Sequence, residues 1–463
     1  MSRGLGDVYK RQIVEQRTYI VIDLKSFYAS VECVERGLDS MTARLVVADP
    51  ERTEKTICLS ISPAMKALGI HNRCRDFEIP KSVDYIMAQP RMQLYIDYAA
   101  GIYGIYLKYI SKEDIHVYSI DECFMDVTNY LPLYQMTARE LGQTIMADIL
   151  REYGIRATCG VGTNLYLAKV ALDITAKHSP DFIGELDEEI FQRTLWDHKP
   201  LTDFWRIGRG IAAKLEKYGI HTVGDIAGTD EDFLYKLFGV DAELLIDHAW
   251  GRETATIAAI RSYKARTNCL TSGQVLGCDY SFDDAKLIVK EMMDLLCLEM
   301  VEKNLVSDSV TLQVGYSRQL AVESSRGTAS LDAETNADII LVPAVSALFE
   351  RIANPELAIH RINISVNHVI EEEYRQYSMF TDVRELERNR KLQTAMLDIK
   401  KKFGKNAILK GINLQEASTM QERNQQIGGH KSGIYKDGGN KSKERGKERE
   451  GTEHKAGGKR DGR

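Results

Sequence analysis

The 463-residue sequence predicts an α+β fold with two mixed strand and helix units separated by a module of short helices. Three observations carry this expectation. The continuous apolar run "YIVID" at 19–23 ends in an acid, the pattern of a buried strand that delivers a carboxylate at its end. The stretch "IHVYSIDECFMDVT" at 115–128 predicts two strands turning tightly around Asp121 and Glu122. Past residue 266 the pattern runs strand, helix, strand, strand, helix, strand.

Taken in order, residues 1–18 show no core pattern and are expected to be an unstructured extension. After the strand at 19–23, residues 29–91 read as an insertion with its own small core, in which "SPAMKALGI" is a helix ending at Gly69. Thr137 and Glu140 form a capping box that starts a helix with Leu141, Ile145 and Ile149 on one face, stopping at Gly154. The strand "RATCGVG" and a helix from Asn164 to about Ala176 follow. This order predicts a sheet with helices on one face. Residues 201–250 are mostly short helices, with a Gly-Arg-Gly turn in "RIGRGIAAKLEKYGI". A basic stretch with Arg261, Lys264 and Arg266 leads to strand 267–276, helix 282–303, strand 308–316, short strand 326–331, helix 336–352 and strand 359–370, a second ferredoxin-like unit.

Composition narrows the function classes. The chain is 44% hydrophobic and 28% charged, with no apolar run near the roughly 20 residues that cross a bilayer, so a membrane role is not expected. Its eight cysteines show no metal or disulfide spacing, and no secretory segment is present, which predicts a reduced, cytoplasmic setting. The net charge of −6 conceals a gradient: residues 424–463 carry +5 and have almost no apolar side chains, so this tail is expected to be disordered.

If the predicted strands are neighbours, Asp23, Asp121 and Glu122 meet at one sheet edge. Such a cluster is repulsive without a cation, and hard oxygen ligands suit Mg²⁺ together with substrate phosphate. By spacing alone, a solvated turn and a strand terminator are the commoner explanation.

The residues after Asp23 alter that balance. "IDLKSFYASVE" and "YSIDECFMDV" resemble the two active-site motifs of the Y-family translesion DNA polymerases, in the family's order and about a hundred residues apart. "SPAMKALG" looks more like the UmuC-like (ImpB/MucB/SamB-type) branch than the polymerase IV branch. The resemblance implies a right-hand polymerase: a ferredoxin-like palm (19–28 and 92–180), small fingers (29–91), a helix-hairpin-helix thumb (181–258), a linker (259–266) and an α+β little-finger domain (267–372). A clamp-binding and C-terminal segment (373–423) and the basic tail (424–463) complete the expected organisation.

It also implies roles. Asp23, Asp121 and Glu122 correspond to the catalytic metal carboxylates, with the Leu24 carbonyl as a further ligand, for two Mg²⁺ ions or Mn²⁺ in their place. Tyr28 corresponds to the steric gate that rejects a 2′-hydroxyl, with Phe27 beside it. Lys177 and Lys66 correspond to triphosphate contacts. The family's usual Tyr and Arg on the fingers helix read here as Pro63 and Lys66, so a hydroxyl contact is lost and a bidentate fork becomes a point charge. Gly208, Arg209 and Gly210 would let backbone amides approach a DNA phosphate. Gln376, Met379 and Phe380 in "QYSMF" are similar to the peptide that hooks bacterial polymerases onto the sliding clamp.

The implied partners are primer-template DNA, deoxynucleotides and the clamp, with a recombinase filament or accessory subunits left open. The implied activity is low-fidelity, template-directed synthesis past DNA damage, as in the SOS response. A catalytically idle DNA- or clamp-binding relative is the competing reading, disfavoured by the intact acids. A nucleotidyl cyclase is disfavoured by the helical module.

Overall fold

The computed structural model describes residues 17–53, 55–265, 268–373 and 382–433. Strand β1 (Tyr19–Leu24) enters helix α1 (Phe27–Glu35) through Ser26, whose left-handed backbone (φ 49°) makes the corner. A three-stranded sheet of β2 (Leu45–Val47), β3 (Ser60–Ile61) and β4 (Ile86–Ala88) forms the fingers with helix α2 (Pro63–Ala67). Ser62 caps α2, Pro63 occupies its first position, and Gly69 (φ 81°) leads the chain away. The fingers have their own core of Val46, Cys58, Ile61, Met65 and Ile79.

Helix α3 (Met92–Tyr109), strands β5 (Ile115–Val117) and β6 (Glu122–Asp126), helices α4 (Tyr130–Tyr134) and α5 (Ala138–Tyr153), strand β7 (Ala157–Gly162), helix α6 (Leu165–Val170) and strand β8 (Ile183–Leu186) complete the palm. Its sheet order is β5-β6-β1-β7-β8. The Thr137 and Glu140 capping box forms, and α5 ends at Gly154 in the left-handed conformation. One face of β1 (Ile20, Ile22, Leu24) packs with residues of α3 and α5. The other (Tyr19, Val21) packs with Leu165, Ala168 and Leu172.

Helices therefore cover both faces, not one. The reason lies in β7, where a Cβ at Gly160 or Gly162 would sit 2.1 or 2.2 Å from the Ala168 backbone, so two glycines let α6 lie directly on the sheet. Two boundaries also shift. Ala29, Val31 and Cys33 of α1 belong to the palm core, so the fingers begin after α1 and not at 29. Strand β8 pairs with β7 in parallel, which extends the palm beyond 180.

Helices α7 (Glu188–Leu195), α8 (Arg209–Glu216), α9 (Val223–Gly228), α10 (Glu231–Phe238) and α11 (Asp241–Ala249) surround Phe191, Phe204, Leu215 and Leu234 as the thumb. A short helix α12 (Ile257–Ser262) occupies the start of the segment expected as linker, because Ile257 is buried against the palm beside Val21 and Phe124.

The little finger comprises β9 (Leu270–Tyr280), α13 (Phe282–Glu302), β10 (Leu305–Tyr316), β11 (Ser325–Thr335), α14 (Asp338–Ile352), β12 (Ile359–Asn367) and a short β13 (Ile370–Glu371). The element order matches expectation, and the strand expected at 326–331 is longer. The sheet order is β11-β10-β12-β9, with the second and fourth strands central. A ferredoxin-like sheet has the first and third strands there. Alternation along the strands sets element identity but carries no information on which edge a crossing strand joins.

Helix α15 (Val383–Phe403), helix α16 (Met420–Arg423) and a hairpin of β14 (Gln426–Ile427) and β15 (His430–Lys431) end the described chain. Residues 424–433 are thus ordered where disorder was expected. Gly428 and Gly429, both at positive φ, supply the two-residue turn, and Ile427 packs on the palm core, so the hairpin uses apolar surface its own sequence lacks. Among the described residues, no helix is long and apolar enough to cross a membrane.

Candidate active site

Strand pairing brings the acids together. Asp23 on β1 is directly opposite Glu122 on β6, in register with the pair Val21 and Phe124 that packs beneath α6. Cross-strand partners project from the same sheet face, so both carboxylates lie on the side α6 covers. Asp121 is fixed beside them: its carbonyl accepts from the Leu24 amide at 2.9 Å, and its carboxylate accepts from the Ser119 hydroxyl at 2.6 Å.

The electrostatics are strained. Burial, followed by the charges of Asp121 and Glu122, pushes Asp23 up to about 7, against the opposing pull of Lys169 and Lys177. Burial also raises Glu122, although Lys169 donates to its Oε2 at 2.9 Å. The other oxygen, Oε1, is buried with no hydrogen-bond partner. Among the described residues no three His, Cys, Asp or Glu side chains are grouped closely enough to hold a metal. The three acids therefore lie at one end of the adjacent interior strands β1 and β6 without forming a closed cage, and Glu122 is turned to an ammonium.

The donor set nonetheless suits a divalent cation. An orphaned carboxylate oxygen, a neighbour driven toward protonation and an all-oxygen ligand set are what Mg²⁺ relieves, and Mg²⁺ ordinarily takes one or two carboxylates with substrate phosphates.

Cations face the acids. Burial lowers the pKa of Lys66, on α2, against the opposing charge of Asp23. Lys177 follows α6 and lies 3.5 Å from Asp173. Pro63 occupies the first position of α2, where its missing amide hydrogen leaves no helix bond unmade. Phe27 is buried in the palm core, whereas half-buried Tyr28 stacks on Tyr95, with ring centroids 4.5 Å apart and planes at 18°. The Tyr95 hydroxyl donates to Glu32 at 2.7 Å, and Arg91 grips the same carboxylate with bonds of 2.9 and 2.8 Å.

Sequence reasoning missed Lys169, Tyr95, Glu32 and Arg91. The signal for Lys169 was legible in "AKVALDITAK", where Lys169, Asp173 and Lys177 repeat every four residues along one helix face. Tyr95 and Arg91 carry no such signal, because they meet Tyr28 and Glu32 only through the packing of α3 on α1. Lys25 was also missed; its ammonium sits 3.8 Å over the Phe182 ring.

The remaining expected sites are dispersed. Gly208 is the N-cap of α8 and Arg209 and Gly210 open that helix, with no side chain capping its first amides. Gln376, Met379 and Phe380 lie outside the described residues.

Comparison with known proteins agrees with this architecture. The impB/mucB/samB family matches residues 22–173, and the C-terminal domain of the same family matches residues 271–379. "DNA polymerase IV 2" of Halalkalibacterium halodurans is 29% identical over 416 residues, spanning 89% of this chain and 99% of that protein. "DNA polymerase IV 2" of Bacillus subtilis (strain 168) is 28% identical over 430 residues, spanning 90% and 100%. A solved Y-family DNA polymerase chimera superposes with a TM-score of 0.60 at 20% identity, over 77% of this chain and 100% of that one, a likeness of fold. Two matched domains in the family's order, on this fold, place the chain in the impB/mucB/samB family of UmuC-like Y-family DNA polymerases.

Proposed function

We propose that the protein is a template-directed, low-fidelity DNA polymerase that extends a primer past damaged template positions. The observation that carries the reading is the cross-strand pair of Asp23 and Glu122 with Asp121 locked beside them by the Leu24 amide. Asp23, Asp121, Glu122 and the Leu24 carbonyl would hold two Mg²⁺ ions. When bound, these supply charge neutralisation at the attacking 3′-oxygen and at the departing pyrophosphate.

The chain's own residues account for the rest. Lys66 and Lys177 orient the triphosphate as point charges. Lys169 keeps Glu122 ionised and aimed while the site waits for substrate. Tyr28, braced by Tyr95, places its ring under the sugar and excludes a 2′-hydroxyl. The uncapped amides at the start of α8 take a backbone phosphate without reading sequence. The little-finger face opposite α13 and α14 is polar, with Thr271, Thr311, Arg326, Arg361 and Ser365, and suits a duplex backbone. Gln376, Met379 and Phe380 tether the enzyme to a sliding clamp, which offsets the acidic overall charge by raising local concentration.

Primer extension with Mg²⁺ by wild type and Asp121→Ala tests the mechanism: incorporation by the first and not the second is expected. No incorporation by wild type, or equal incorporation by both, returns the protein to an accessory DNA- or clamp-binding role. Removal of the Gln376 and Phe380 side chains should abolish clamp pull-down.

A further inference from the structure

The C-terminal segment makes two separate sets of contacts. Its first part belongs to the little finger. Lys410 bridges Asp294 and Asp338. Asn413 and Ser418 donate to Glu291 at 2.8 and 2.5 Å, and Gln274 accepts from Arg423 at 2.6 Å. Glu291, which is 2% exposed, is buried among these partners on α13. Residues 404–423 are therefore a fixed extension of the little finger.

The hairpin that follows leaves the little finger and lands on the fingers and palm. Lys431 pairs with Glu51 and lies 3.6 Å from the buried carboxylate of Asp49. Arg52 donates to the Gly429 carbonyl at 2.9 Å across 377 residues of sequence. The Gln93 amide at the start of α3 donates to the Ser432 carbonyl at 2.9 Å. Ile427 joins the palm core, and Gly433 (φ 73°) lies so close that a Cβ would come within 2.8 Å of Arg91 Cα. Lys431 of the hairpin thus meets the carboxylates of Asp49 and Glu51, with hydrogen bonds to the backbone of Gly429 and Ser432 fixing the register.

We propose that residues 426–433 are an intramolecular latch, whose docking surface is the Asp49 to Arg52 loop with the first turn of α3. The latch sets where the little-finger sheet stands relative to the carboxylates of the palm. The chain enters the little finger from the thumb side, and the latch ties its far end back to the fingers side. Its ion pairs are partly exposed and its apolar contact is small, so it opens at low cost and is weakened by salt.

The test compares four proteins: the chain ending at Gly433, the chain ending at Gln425, the full-length chain with Lys431→Glu, and full-length wild type. The first removes the basic tail alone, which separates the tail's charge from the latch. Amide exchange at Gln93, which does not depend on polymerase activity, and affinity for primer-template DNA are measured in each. Relative to the chain ending at Gly433, the chain ending at Gln425 should exchange Gln93 at least about tenfold faster and bind DNA about fivefold more weakly. Lys431→Glu should shift both readouts in the same direction relative to full-length wild type. Equal protection of Gln93 in the Gly433 and Gln425 chains overturns the docking, and equal DNA affinity despite lost protection overturns the positioning role. Failure of all forms to bind DNA would instead count against the polymerase reading, leaving the exchange result to decide the latch.

Discussion

Lys169 on α6 donates to Glu122 on β6 at 2.9 Å, and both side chains are 9% exposed. The same ammonium reaches Asp173 at 3.1 Å, so one cation serves two acids. Removing one partner of a buried pair leaves a charge without compensation. Lys169→Met should lower stability by about 3 kcal/mol and reduce incorporation. Chemical denaturation with and without Mg²⁺ checks it, and added Mg²⁺ should recover part of the loss.

Asp23 sets a pH dependence of the metal-free protein. Its folded pKa of about 7 lies above the ordinary 3.8 because burial and then Asp121 and Glu122 disfavour the charge. Between those values the folded state holds a proton that the unfolded state has released. Ionising this acid therefore costs the fold stability as pH rises through the window. Asp23→Asn should be as stable as wild type near pH 4 and more stable above about pH 7. Thermal melts across that range measure the difference, and Mg²⁺ should erase the variant's advantage.

Tyr28 and Tyr95 should act on sugar choice together, since one ring rests on the other at 4.5 Å. Tyr28→Ala should raise ribonucleotide incorporation by at least about tenfold, the scale of one lost steric contact of about 1.4 kcal/mol. Tyr95→Ala should move the preference the same way by less. Single-nucleotide incorporation with matched ribo- and deoxynucleotides reads both, and an unchanged preference in Tyr28→Ala removes that residue from the role.

Glu32 is fully buried and accepts from Arg91, Tyr95 and Arg36. Three donors around one carboxylate hold its pKa below the usual value despite burial. Glu32→Ala strands a partly buried guanidinium and removes the brace beneath Tyr95. A loss of about 3 kcal/mol is expected from urea denaturation, with a loosened sugar preference in whatever folded protein remains.

Much of the site was legible because its parts are local. "YIVID" announces a buried strand ending in Asp23, and "SIDECF" announces a tight turn with two acids. The capping box at Thr137 and the stop at Gly154 are short-range codes, and both form. The alternating strands of the little finger were readable for the same reason, since side-chain period reports burial directly.

Only the tertiary structure decided what those local codes leave open. Register places Asp23 opposite Glu122, and the missing Cβ atoms of Gly160 and Gly162 admit α6, which brings Lys169 to Glu122. Strand order in the little finger, which pairs Leu270 with Val366, and the docking of the last hairpin at Asp49 also depend on partners far away in sequence. The sequence by itself determined the chemistry of the acids, the lysines and the ring at Tyr28, because residue type fixes charge, donor and shape. Which of them share a site is a long-range property, set by packing and pairing between segments that carry no local record of one another.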